Sequence, residues 1–209
     1  MTDTAARVAI EERPATARNR GRIRTIVFWT ATFAVLYEMS AGSVWNLLTI
    51  EFVEAQLGHL GYPQYFAYIL GVAHVAAAVV IAAPGFALLK EWAYAGAFFL
   101  WSGAVVSHWT LGDSFKTWSV PLLFGVAAIV SWALRPADRR LPGTALPWDR
   151  PAGSATAEPH GTVPPRARLR AWALPIGLVF GLYAFAILTL PAFEDITREW
   201  ALEYGWIAN

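Results

Sequence analysis

Five long apolar stretches joined mostly by short polar connections constrain this chain more than any other feature. At 1.5 Å per residue, about 20 helical residues cross a hydrocarbon core roughly 30 Å thick. The stretches run over about Thr25 to Ile50, Gln64 to Leu89, Trp92 to Leu111, Thr117 to Leu134 and Leu169 to Leu190. None alternates with period two, so a transmembrane barrel is excluded. The composition agrees: 56% of residues are hydrophobic, 15% are charged and the mean hydropathy is +0.42, whereas a soluble chain carries about 25% charge. A cytosolic enzyme, a nucleic-acid binder and a disordered chain are excluded on these grounds. The expected fold class is an all-α membrane protein: a four-helix up-down bundle plus an appended fifth transmembrane helix.

The charges divide the chain further. Fourteen of the 16 Lys and Arg residues precede the first span, lie at Lys90 in the turn expected between spans two and three, or fall between Arg135 and Arg170. By the positive-inside rule this places the amino terminus in the cytoplasm and the carboxyl terminus on the external side of the membrane. The expected order is a basic arm (1–24), the bundle (25–134), a Pro-rich cytoplasmic linker (135–168), the fifth helix (169–190) and an external acidic and aromatic tail (191–209). The linker reading rests on Pro136, Pro142, Pro147, Pro151, Pro159, Pro164 and Pro165. The first apolar stretch continues past Ser40-Ala41-Gly42-Ser43 to Ile50, which reads as an uncleaved anchor rather than a signal peptide. Pro84-Gly85 marks a place where span two kinks or stops early.

Three ionisable residues fall inside these spans, where each costs at least ~2.5 kcal/mol if left charged at mid-bilayer. Glu38 and His74 both lie near the middle of neighbouring spans, so they are expected to pair. Four uses stay open: a structural clasp between the helices, a proton-handling pair, a polar contact for a quinone carbonyl, or a neutral, partnerless Glu38. His108 lies one turn from the outer end of span three. There Glu51, Glu54, His59 and Asp113 complete an expected external polar cluster, read as a hydrogen-bonded cap that holds no metal, because its members come from separate loops without diagnostic spacing. His74 and His108 differ by roughly 10 Å in depth at 1.5 Å per residue, which argues against a shared haem. With no cysteine in the chain, disulfides, thiolate-bound Fe–S clusters and c-type haem attachment are excluded. No residue pattern identifies a catalytic group.

A run of strings at the expected helix boundaries carries a family likeness. It comprises Leu60-Gly61-Tyr62-Pro63, Tyr65-Phe66, Ile69-Leu70-Gly71, Ala83-Pro84-Gly85, Leu89-Lys90-Glu91-Trp92-Ala93-Tyr94-Ala95-Gly96, Gly103-Ala104, Ser107-His108 and Gly112-Asp113. Over about residues 24–140 the chain resembles the DoxX-like family of small bacterial integral membrane proteins. The resemblance implies a four-helix membrane bundle and, from the founding members, a subunit role in a thiosulfate:quinone oxidoreductase. Where such proteins often carry a lysine after Leu-Gly in span two, this chain has His74.

The expected function is an accessory, non-catalytic subunit of a quinone-linked membrane redox assembly, with a quinone or lipid as the ligand of the bundle. One alternative is an interaction subunit that docks on other membrane subunits through residues 169–190 and the tail. Another is a small transporter or proton path. Membrane lipids are expected partners in every case.

Overall fold

Pro84 divides the apolar run that follows Gln64. The residue before a proline is pushed out of helical geometry, and Ala83 has φ −54° and ψ 141°. Gly85 and Phe86 then both adopt positive φ and turn the chain sharply. The computed structural model describes residues 2–141 and 165–208, with side chains from 19 to 141 and from 171 to 208. Among these residues lie α1 (Thr2–Leu48), α2 (Glu51–His59), α3 (Tyr65–Ala82), α4 (Ala87–Thr110), α5 (Phe115–Leu134) and α6 (Pro165–Glu203). A short 3-10 turn at Ala137–Arg139 follows α5.

α1, α4 and α6 run in one direction and α3 and α5 in the other, as the cross-contacts require. Thr32 meets Ser131 and Arg24 meets the end of α5, Leu47 meets Gly71, and Ser43 meets Tyr183. α1 is the central helix, packed against α3, α5 and α6. The buried positions follow helical spacing: Ala67, Gly71, His74, Ala78 and Ile81 on α3, and Lys90, Tyr94, Ala97, Trp101 and His108 on α4. Small residues on the α3 face let two backbones approach closely, the usual solution where lipid tails compete for apolar contact. The main apolar core joins Val35, Leu36 and Met39 to Ala78, Ile81, Trp101 and Ala128. A buried polar seam crosses the same core: Ser131 Oγ lies 2.7 Å from both Thr32 Oγ1 and Tyr94 Oη.

The all-α membrane class holds. Within the described residues α3, α5 and Ala171–Glu203 of α6 are each long and apolar enough to cross a membrane. α1 and α4 are not among these; Glu38 in one, and Lys90, Glu91 and His108 in the other, lower their hydropathy. Their outward faces are nonetheless apolar, as are those of the other helices: Phe99, Phe180 and Leu188 are 71%, 76% and 80% exposed. The protein is membrane-embedded and contacts lipid through these faces.

Several boundaries differ from the sequence reading. α4 starts at Ala87, not Trp92, so Lys90 lies within its first turn and is buried instead of sitting in a loop. The connection expected to be an external loop after Ile50 is largely the helix α2. α6 passes through Pro191 and continues to Glu203, so most of the segment read as an external tail extends the fifth helix. That helix packs on its own bundle, burying Leu182 and Ala186. Residues 135–141 pack against the bundle end, with Arg135 and Arg140 buried; the rest of the expected linker up to residue 164 lies outside the described residues.

Candidate functional site

His74 sits one turn after Leu70 on α3, and its Nδ1–H donates to the Leu70 carbonyl oxygen at 2.6 Å. That bond directs Nε2 toward α1, where Glu38 Oε1 lies 3.7 Å away. The His74 side chain is 4% exposed and that of Glu38 is 22% exposed. The other carboxylate oxygen of Glu38, Oε2, is buried with no hydrogen-bond partner. With Nδ1–H committed to Leu70, the contact is attractive only when one further proton is present, on His74 Nε2 or on Glu38. Removing it sets a lone pair against a carboxylate.

Gly42, one turn along α1 from Glu38, makes room for this pair. A Cβ at that position would lie 3.1 Å from Glu38 Oε1 and 3.3 Å from His74 Cδ2. A side chain there would intrude on both partners.

The opposite ends of the bundle carry contrasting polar groups. At the basic end the Lys90 ammonium donates to the carbonyl oxygens of Val80, Ala83 and, at 3.2 Å, Ile81. Arg139 Nη1 also donates to Ile81 O at 3.1 Å. Arg135 pairs with Glu91 and lies over the Tyr94 and Trp132 rings at 5.8 and 5.0 Å. Composition alone could not have found this role for Lys90, since a Lys-Glu pair after a proline reads as a turn. The available signal was its spacing from Tyr94, Ala97 and Trp101, which puts it on the buried stripe of α4.

At the other end the structure brings together three of the five expected cluster members. His108 Nδ1 lies 2.6 Å from Asp113 Oδ2, and His59 Nε2 lies 2.9 and 3.0 Å from the two Asp113 oxygens. Burial favours the neutral form of Asp113, but the hydrogen bonds from His108 and His59 outweigh it and hold the carboxyl below the ordinary carboxylate range. Glu51 and Glu54 turn elsewhere: Glu51 pairs with Arg198 at 3.4 Å, and Glu54 accepts from Gln64 at 2.5 Å. Two further residues join the cluster. Gln56 Nε2 is 3.3 Å from His108 Nε2, and the Trp206 ring stacks on both imidazoles, with centroids 5.4 and 5.6 Å away.

Two bundle-wall cavities are apolar. One of about 460 Å³ lies along α4 and α5 between Glu91, Phe98, Ile129 and Trp132. Another of about 390 Å³ lies between Trp29, Phe33, Leu36 and Leu178.

The sequence model of the DoxX-like family matches residues 30–131. This segment belongs to the DoxX-like family. It runs from within α1 to within α5, so the DoxX-like unit contains Glu38, His74, Lys90, His59, His108 and Asp113, while Trp206 and α6 come from outside it. Comparison with curated proteins and with solved structures gave no match.

Proposed function

We propose that this DoxX-like membrane protein is a non-catalytic subunit of a quinone-linked redox assembly, and that it seats the quinone head against the Glu38–His74 pair. The observation that carries the reading is the buried, partnerless Oε2 of Glu38 beside an imidazole. Buried polar atoms in native proteins nearly always have partners, and a quinol hydroxyl supplies the missing donor. The pair holds one transferable proton, which suits a ligand whose oxidation state and protonation change together. The chain has no cysteine, so a thiolate-held electron carrier would belong to another subunit. The proposed orientation puts the Lys90 and Arg135 end in the cytoplasm of a bacterial-type inner membrane, following the positive-inside rule.

The test is extraction of the protein in native lipid, followed by quinone analysis. About one quinone per chain is expected in the wild type. Glu38→Leu should lower occupancy tenfold or more, because a hydrogen bond to a charged group contributes about 1.5–3 kcal/mol. Wild-type protein free of quinone, whose thermal stability does not change when quinone is added, would remove the ligand from the proposal.

A second reading is favoured by α6. Its outer face exposes Leu174, Phe180 and Leu188 at 83%, 76% and 80%, a surface that suits another subunit's helix as well as lipid.

A further inference from the structure

We propose that His59, His108 and Asp113 form a binding site for one divalent transition-metal ion of zinc-like character, with water completing the coordination. One ligand atom from each residue lies within 4.8 Å of the other two. Two imidazoles and a carboxylate are a donor set suited to such an ion, and three protein ligands leave a position open.

Zinc binds nitrogen and carboxylate oxygen at about 2.0–2.2 Å, which places neighbouring ligands in a tetrahedral site about 3.3 Å apart. The His59–Asp113 and His108–Asp113 separations are 2.9 and 2.6 Å. Opening each by less than ~1 Å, while the two imidazole nitrogens, which lie within 4.8 Å of one another, draw toward the same spacing, accommodates the ion. In exchange the ion displaces the protons that now bridge the imidazoles to the carboxylate.

The surroundings fit the same assignment. A metal-bound histidine usually donates its remaining N–H to a nearby acceptor that fixes the ring. With His108 Nδ1 on the ion, its proton moves to Nε2, which faces the Gln56 side-chain amide at 3.3 Å. Rotation of that amide by half a turn presents its oxygen as the acceptor, an exchange of two nearly isosteric atoms. Trp206 stacks on the His59 and His108 rings at interplanar angles of 24° and 15° and so restrains both ring planes.

The open position also has somewhere to face. A cavity of about 590 Å³ adjoins the cluster, and Asp113 and Trp206 line it together with Lys116, Glu203 and Tyr204. Water reaches the carboxylate from that side. His108 is 1% exposed, so the ion would be covered by protein on one side and wet on the other.

The experiment uses full-length protein in nanodiscs, carrying no histidine tag, stripped with a chelator and titrated with Zn²⁺ and, separately, Co²⁺. One equivalent of Zn²⁺ per chain is expected, and Co²⁺ should give the visible absorption of a four-coordinate ion. His59→Ala and Asp113→Asn, checked for unchanged helicity and size-exclusion profile, should each weaken binding by at least tenfold. Glu54→Gln, whose carboxylate bonds to Gln64 instead, should leave binding unchanged. Absence of stoichiometric Zn²⁺ binding by the wild type would overturn the proposal. Binding that survives both His59→Ala and Asp113→Asn would do the same. This titration does not depend on quinone, so its result is independent of the function proposed above.

Discussion

Lys90→Met is expected to destabilise the protein by about 3–5 kcal/mol, because it strands the buried carbonyl oxygens of Val80 and Ala83 at about 1–3 kcal/mol each and removes the charge that faces the helix end. The last four carbonyls of any helix lack intrahelical donors. At the end of α3 the difficulty is compounded, because Pro84 has no N–H to offer. One ammonium group, with three donors, meets Val80, Ile81 and Ala83, and its charge also opposes the negative end of the helix dipole. Methionine has similar length and apolar character but no donor, and water has little access to a site where Lys90 is 1% exposed. Lys90→Arg should rescue poorly, since a planar guanidinium cannot point three donors around a tight turn as an ammonium does. Denaturant or thermal unfolding in detergent, followed by tryptophan fluorescence, reads the effect. Stability of Lys90→Met within about 0.5 kcal/mol of wild type, the level of an ordinary surface substitution, would show that the cap is unimportant.

The second large effect is expected at Gly71, where α3 crosses α1. A Cβ there would lie 2.6 Å from Leu47 Cγ, 2.8 Å from Leu47 Cδ2 and 3.2 Å from the Leu47 backbone nitrogen. Rotation of the Leu47 side chain relieves the first two contacts but not the third. Gly71→Val should therefore push the helices apart and cost about 2–3 kcal/mol, within the range for overpacked sites. Gly71→Ala should cost less, because alanine gains about 1 kcal/mol of helix propensity over glycine. Equal stability of wild type and Gly71→Val in the same unfolding assay would mean that the seam is looser than the structure shows. Moving α3 also carries His74 away from Glu38, so the valine variant should lower quinone occupancy as well.

The parts of this molecule that were legible in the sequence are those set by local chemistry. Hydropathy marked the apolar helices, and Pro84-Gly85 marked the end of α3, because solvent and backbone sterics act at the residue concerned. The Glu38–His74 encounter was readable from depth alone, since two neighbouring spans with polar residues at mid-length leave few other partners. Lys90 was not readable as a cap. Its carbonyl partners lie on the preceding helix, and only the three-dimensional turn brings its ammonium back over them. The external cluster was partly readable: His59, His108 and Asp113 meet, but Glu51 and Glu54 occupy other faces of α2, a helix too short and polar to stand out by hydropathy. Trp206 falls in the segment read as an external acidic and aromatic tail. Its stacking on the two histidines depends on α6 continuing rigidly through Pro191 and returning the chain end over α2, which no local pattern encodes.

Glu38 and His74 act on each other inside the bundle, and a double-mutant cycle measures that interaction. Unfolding free energies of the wild type, Glu38→Leu, His74→Leu and the double variant in one detergent give the coupling. A coupling of about 1–3 kcal/mol is predicted, with the double variant more stable than the sum of the single effects implies, because each single change strands a buried polar partner. Single effects that add to within about 0.3 kcal/mol would mean that the two side chains are energetically independent and do not form a pair.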